Sequence, residues 1–219
     1  MTKKHGVKKQ RMHCHEEFLR DHGNKGFISD EIIMKWFNDE YSTSKHLLTL
    51  YSIIKGLQAK NILEIGFGRS TPVLARAIAE NGGKLVSCDW DDFSYLLSKK
   101  EKKVVEFVFG ESNLIWSRDE GYDFAFLDYF LKPGKKIPYL IEEVSNCIKK
   151  IKKNGIIVIH DVFAENARIG KALEQLVGDR EDLEYTVLPY NYGLGILRCK
   201  ADSKYGSVVE SNTFLKKKK

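Results

Sequence analysis

From about residue 60 onward, short apolar runs alternate with stretches of helical periodicity. The runs cover 61–65, 84–88, 104–109, 122–127 and 155–159, each about five or six residues long and rich in Val, Ile or Phe. Strands covered on both faces read this way, whereas half-exposed strands alternate polar and apolar residues. The stretches between them, 72–81, 93–100, 137–150 and 164–177, carry apolar residues at helical spacing, as in Ile137, Leu140, Ile141, Val144 and Ile148. Five such alternations predict a parallel α/β sheet with right-handed crossovers and helices on both faces. After them, the runs 183–188 and 193–198, joined by Pro189-Tyr190-Asn191-Tyr192, predict an antiparallel hairpin. Before them, 29–37 and 44–57 read as helices, opened by Ser29 and Ser44 as caps. The expected organisation is a basic, flexible N-terminal segment over 1–28 and a helical lead-in or lid over 29–58. An α/β domain over 59–200 and a basic tail over 201–219 follow, with one core and no internal repeat.

Composition narrows the function classes. Of a net charge of +6, residues 1–11 carry +5 and the four terminal lysines +4, which leaves the body between them at −3. A basic pI near 9.0 therefore comes from the two ends, and the folded body is not a basic surface built for nucleic acid. No apolar run approaches the roughly 18 residues that a membrane span requires. The N-terminus lacks the apolar stretch of a secretory signal. Cys14, Cys88, Cys147 and Cys199 are far apart with no CxxC pair, which fits a reduced, cytoplasmic protein.

The segment Leu63-Glu64-Ile65-Gly66-Phe67-Gly68-Arg69-Ser70-Thr71-Pro72 places a Gly-x-Gly turn between a strand and a helix. Glycines there permit a tight turn and close approach of a ligand to the backbone. Pro72 suits a helix start, with Ser70 or Thr71 as cap. Asp89, at the end of the next strand, stands where a carboxylate accepts both hydroxyls of a ribose. This combination points to a nucleoside-containing cofactor. Thr71 stands where a dinucleotide fingerprint has its third glycine, which weighs against a nicotinamide oxidoreductase.

At these residues the chain resembles the class I S-adenosylmethionine-dependent methyltransferases over about residues 43–199. The likeness is carried by LEIGFGRST, SCDW, FGES, YDFAFLD, NGIIVIHDV and NYGLGILR. It implies a Rossmann-like doubly wound sheet of seven strands, ordered 3-2-1-4-5-7-6 with strand 7 antiparallel. It also implies S-adenosyl-L-methionine as cofactor. Glu64, Gly66, Gly68 and Ser70 would surround its methionine end, with Asp89 on the ribose, and Asp128 is a further cofactor-binding candidate. Gly110, Glu111 and Ser112 would form the loop at the adenine, with Trp90 packing against it. Ser70 stands where the family usually has a third glycine.

Asp128 ends the fourth strand, and His160 and Asp161 end the fifth, so three polar side chains converge on the ligand edge of the sheet. Methyl transfer to oxygen needs a hydroxyl that loses its proton. A carboxylate-bound metal can favour that loss, or a histidine can take the proton directly. The pattern is similar to the catechol and sugar O-methyltransferases, in which carboxylates at these places hold a divalent metal. Carried over, Asp128, His160 and Asp161 are the catalytic and metal-ligand candidates. An imidazole in place of a carboxylate suits a softer ion (Mn²⁺, Fe²⁺ or Zn²⁺) better than Mg²⁺, or suits no metal and a histidine base. Lys132 falls one residue late for the lysine of the catechol type. Asp161 as a cap for a helix near Ala164, and His160 as an ordinary strand-end histidine, stay open.

The resulting expectation is methyl transfer to a hydroxyl of a small molecule, with no membrane or nucleic-acid partner. An RNA or protein methyltransferase docking through the basic ends, and an inactive binding protein of this fold, are the alternatives. The lead-in can serve as a lid or as the surface of a homodimer. Tyr129, Phe130, Tyr190 and Tyr192 are candidates for the acceptor pocket. His13-Cys14-His15 lacks a second ligand pair and is read as terminus, not zinc site. The lysine runs 99–103, 132–136 and 149–153 are read as solvated helix ends and loops.

Overall fold

A computed structural model describes residues 43–92, 94–128, 137–164, 168–178 and 180–208. The expectations for 1–42, for Tyr129, Phe130 and the lysines of 132–136, and for the last eleven residues lie outside the described residues.

Seven strands form one sheet in the order β3-β2-β1-β4-β5-β7-β6. They are β1 (Asn61–Ile65), β2 (Lys84–Asp89), β3 (Val105–Phe109), β4 (Tyr122–Leu127), β5 (Ile151–His160), β6 (Leu183–Leu188) and β7 (Leu194–Cys199). β1 through β5 pair in parallel, and β7 runs antiparallel between β5 and β6. The predicted order and the antiparallel seventh strand are both present.

Alternation along the strands splits the core into two layers. Ile62, Phe124, Phe126 and Val158 face one side, beneath α1 (Leu47–Leu57) and α2 (Thr71–Asn81). Leu63, Ile65, Ala125, Leu127 and Ile157 face the other, beneath α4 (Ile137–Ile148) and α5 (Ile169–Val177). A short α3 (Asn113–Trp116), not predicted, follows β3. Each strand at the centre is buried on both faces, which is why its sequence is continuously apolar.

Four local expectations need correction. The stretch 93–100 is not one helix: it contains a 3-10 turn at Ser94–Leu96, and a second follows at Glu101–Lys103. Asp92 Oδ1 accepts from both the amide and the hydroxyl of Ser94, while Ser98 and Glu101 cap each other reciprocally. These local bonds compete with a continuous helix and divide the segment. β5 begins at Ile151 rather than 155, with a register shift between Tyr122 and Phe124. Lys152 and Lys153 therefore belong to a strand, not a helix end, and Lys152 pairs with the buried Asp123. α5 begins at Ile169, later than 164, because the Phe163 amide is tied to the carbonyl of Tyr192 in the β6–β7 turn. Finally, Ser44 does not cap α1: a 3-10 turn, Thr43–His46, leads into it, and His46 occupies the N-cap position without a side-chain bond to the helix amides.

α1 is part of the core. Leu47, Leu50 and Ile54 are completely buried in the layer that holds Phe124 and Leu74. Leu50→Ala should lower the unfolding free energy by about 2–5 kcal/mol, read by urea denaturation.

Candidate functional site

β1 delivers Glu64 to the interior, where its carboxylate is fully buried. The hydroxyls of Ser70 (2.5 Å), Thr71 (2.7 Å) and Ser87 (2.6 Å) all donate to it. All three donors to this carboxylate are neutral hydroxyls. Burial raises its pKa to about 7, although the three hydroxyls work in the other direction, and Asp128 adds to the rise. Ser70 and Thr71 therefore do not cap α2 with their side chains, as the sequence suggested. They are turned inward, and Ser70 is almost fully buried.

With β1 tied to the start of α2, the intervening loop has little freedom. Gly66 takes φ 102°, a conformation open to glycine and strained for other residues, and its amide donates to the carbonyl of Cys88 on β2. The Gly68 amide donates to Thr71 Oγ1. The amide of Phe67 reaches Asp89 Oδ2 at 2.9 Å, and the Asp91 amide reaches Asp89 Oδ1 at 3.0 Å. Two backbone amides thus hold Asp89 at the C-terminal lip of β2.

β3 pairs with β2 so that Phe109 lies opposite Asp89. Gly110 follows at φ 140° and donates its amide to the Asp89 carbonyl. A side chain at Gly110 would meet Leu114. Trp90 is 53% exposed and Phe109 64% exposed on this lip, and Glu111 is exposed as well. Ser112 donates its hydroxyl to Glu143 Oε2 on α4 at 2.6 Å, so it anchors the loop to a helix rather than presenting its side chain outward.

On the other side of the loop, the Asp128 amide donates to the Ile65 carbonyl, which sets Asp128 at the C-terminal end of β4 next to Gly66. His160 Nδ1 lies 3.1 Å from Asp128 Oδ1 and 3.2 Å from Asp161 Oδ1. Burial opposes protonation of His160, but the hydrogen bond to Asp128 and the charges of Asp128 and Asp161 outweigh it, and the pKa rises above 6.5. Asp161 adopts φ 61°, a left-handed conformation that Asp tolerates better than most residues. Its pKa is raised by burial. Its carbonyl, not its carboxylate, accepts from the Ala164 amide, so the proposed cap is replaced by a turn. One ligand atom each from Asp128, His160 and Asp161 fall within 4.8 Å of one another, the only such group of three among the described residues. Two carboxylate oxygens and an imidazole nitrogen are a donor set that fits Mn²⁺ better than Mg²⁺.

Sequence reasoning missed the residues that cover this edge. Thr43 donates to Asp128 Oδ2 at 3.0 Å, and Arg69 Nη1 donates to Ser44. His46, completely buried, packs edge-on against His160 with ring centroids 5.1 Å apart. On its other side it stacks with Tyr190 at 4.7 Å, and its Nε2 lies 3.1 Å from the Asn191 carbonyl. Burial pushes its pKa down to about 4. A histidine one residue before Leu47-Leu48 carries no periodic signal that would have marked it. Tyr190 is 39% exposed and Tyr192 61% exposed.

Residues 63–162 match the family model described as a methyltransferase domain. No curated protein matches the chain. Among solved structures, the S-adenosylhomocysteine-bound methyltransferase PaMTH1 of Podospora anserina aligns at TM-score 0.58 and 16% identity, over 92% of this chain and 97% of that one. The O-methyltransferase of Bacillus cereus in complex with S-adenosylhomocysteine aligns at 0.57 and 16% identity, over 83% and 96%. A methyltransferase of Geobacter sulfurreducens aligns at 0.56 and 15%, over 88% and 89%. At these identities the likeness is one of fold.

Glu64 gives a pH signature. The unfolded chain releases this proton near pH 4.5 and the folded chain at about 7, so between them the folded state binds more protons. Stability should fall as pH rises through that window, by up to about 3 kcal/mol, and level off above it. Urea melts at several pH values should show this component in the wild type and not in Glu64→Gln.

Proposed function

We propose that this chain, a class I methyltransferase by its fold and by the methyltransferase domain matched over residues 63–162, transfers a methyl group from S-adenosyl-L-methionine to a hydroxyl of a small molecule. The observation that carries the oxygen assignment is the Asp128–His160 pair, 3.1 Å apart, on the strand ends beside the glycine turn. Glu64, Gly66, Gly68 and Ser70 shape the turn that would take the methionine end. Asp89 would take the ribose hydroxyls. Trp90, Gly110 and Glu111 would border the adenine, while Ser112 holds their loop through Glu143.

When bound, S-adenosylmethionine supplies a methyl on a positively charged sulfur, ready for transfer to an electron-rich atom. The acceptor hydroxyl becomes a better nucleophile as its proton leaves. His160 takes that proton at Nε2, while Asp128 holds the Nδ1 hydrogen and stabilises the imidazolium that results. Asp161 adds a second negative charge next to the ring. The segment Thr43–His46 covers the reacting groups and keeps water from competing.

One observation favours a second reading: the grouping of Asp128, His160 and Asp161 within 4.8 Å. In that reading these residues would hold Mn²⁺, whose charge would favour loss of the acceptor hydroxyl's proton. Chelation separates the two. With His160 as base, activity survives EDTA. With a metal, EDTA abolishes activity, and Mn²⁺ restores it more fully than Mg²⁺.

The negative charge of the body favours a small acceptor over RNA; docking of RNA through the basic ends would instead give a steep loss of binding with salt. No helix among the described residues is long and apolar enough to cross a membrane. Cys88, Cys147 and Cys199 are free and buried, which supports a reducing, cytoplasmic setting.

Asp89→Ala should weaken S-adenosylhomocysteine binding by about 10- to 100-fold in calorimetry, since bonds to a charged acceptor are lost. His160→Gln should leave that binding near the wild-type value and lower kcat by about 10²- to 10⁴-fold. Unchanged kcat would remove His160 from the reaction.

A further inference from the structure

Methyl transfer by Asp128 and His160 makes no use of the ionisation of Glu64, although this carboxylate lies completely out of solvent only two residues before Gly66. Its hydrogen-bond donors are the hydroxyls of Ser70 and Thr71, at the start of α2, and of Ser87 on β2. From β4, the charge of Asp128 acts on it with the same sign. Arg69, in the turn itself, directs Nη1 to Ser44. A hydroxyl solvates a carboxylate but brings no opposite charge, so burial disfavours the ionised form of Glu64. Thr71 also links Glu64 to the turn: the Gly68 amide donates to Thr71 Oγ1, and that hydroxyl donates on to Glu64 Oε2. One side-chain hydroxyl thus stands between the carboxylate and the backbone of the glycine turn.

We propose that Glu64 reads the charge on the cofactor's sulfur: it favours the sulfonium of S-adenosylmethionine over the neutral thioether of S-adenosylhomocysteine, and it releases its proton when the sulfonium binds. The inference rests on the assignment of this turn to the methionine end of the cofactor, and it gives the turn a means of separating the methyl donor from the spent product. Contact is not required, because attraction between opposite charges falls only with the first power of distance and is screened less in a buried site than in water. The two cofactor forms share the amino acid, the ribose and the adenine. They differ by a methyl group and one unit of charge, so hydrogen bonds to the shared parts cancel in the comparison. The proton balance follows from the signs. A nearby positive charge favours the ionised carboxylate, so the pKa of about 7 in the free chain falls in the complex and the proton passes to the buffer. Affinity for S-adenosylmethionine therefore rises with pH up to about 7 and levels off above it, and affinity for S-adenosylhomocysteine lacks this component. When the methyl group leaves, the sulfur loses its charge and Glu64 takes a proton back from solvent.

The test is calorimetric titration of the full chain with S-adenosylmethionine and with S-adenosylhomocysteine, without acceptor, at neutral pH in phosphate and in Tris. The two buffers differ in ionisation enthalpy, so each titration gives an affinity and the number of protons released. The wild type should release about half a proton more with S-adenosylmethionine than with S-adenosylhomocysteine. Glu64→Gln keeps an oxygen for the hydroxyls and removes the charge. It should lower affinity for S-adenosylmethionine relative to S-adenosylhomocysteine by about tenfold and abolish the difference in proton release. A merely structural role would weaken both ligands alike. Thermal melting checks that the variant folds. If it does not, the wild type decides, with greater release for S-adenosylmethionine as support and equal release as refutation. An unchanged affinity ratio in Glu64→Gln, or equal proton release for both ligands in the wild type, would overturn the proposal. If S-adenosylhomocysteine binds and the ratio does not move, the role of Glu64 alone fails. If neither ligand binds, the methyl-transfer assignment fails and this one with it.

Discussion

A single buried carboxylate organises the ligand edge of this sheet. Glu64 takes hydroxyl donors from the first turn of α2 and from β2, so three elements meet on one side chain. That knot leaves the Gly66–Gly68 turn one path, and along that path the Phe67 amide meets Asp89. The position of Asp89 is therefore a consequence of how Glu64 is satisfied. Burying a carboxylate among hydroxyls without a cation is costly, and the protein meets part of that cost by letting Glu64 hold its proton at higher pH.

The strands and their order were legible because buried parallel strands leave continuous apolar runs, and the turn residues stood at a strand–helix junction. Asp89, Asp128, His160 and Asp161 were legible for the same reason: each sits at a strand end, and strand ends on one edge of such a sheet converge. What sequence did not reveal were competitions between alternative hydrogen bonds. Ser70 and Thr71 have the chemistry of caps, but the buried Glu64 outbids the helix amides. Ser112 looks like a loop residue open to a ligand, yet Glu143, distant in sequence, takes its hydroxyl. The 93–100 stretch has helical spacing, and Asp92, Ser98 and Glu101 cut it into turns through bonds that periodicity does not register.

The turn before α1 was the largest gap. Its helix was expected from spacing, but nothing local says that Thr43 and His46 lie across the ends of β4 and β5. That placement comes from tertiary packing: Leu47, Leu50 and Ile54 anchor α1 in the core, and the turn preceding it is carried over the crevice. The same helix thus contributes to stability on one side and closes the site at its start.

A crystal structure of the full chain with S-adenosylhomocysteine tests the central claim most directly. The account predicts the ribose hydroxyls about 2.6–3.2 Å from the Asp89 carboxylate, and the sulfur on the side of Asp128 and His160. An empty crevice at saturating ligand, or a ligand whose sugar lies away from Asp89, would contradict it.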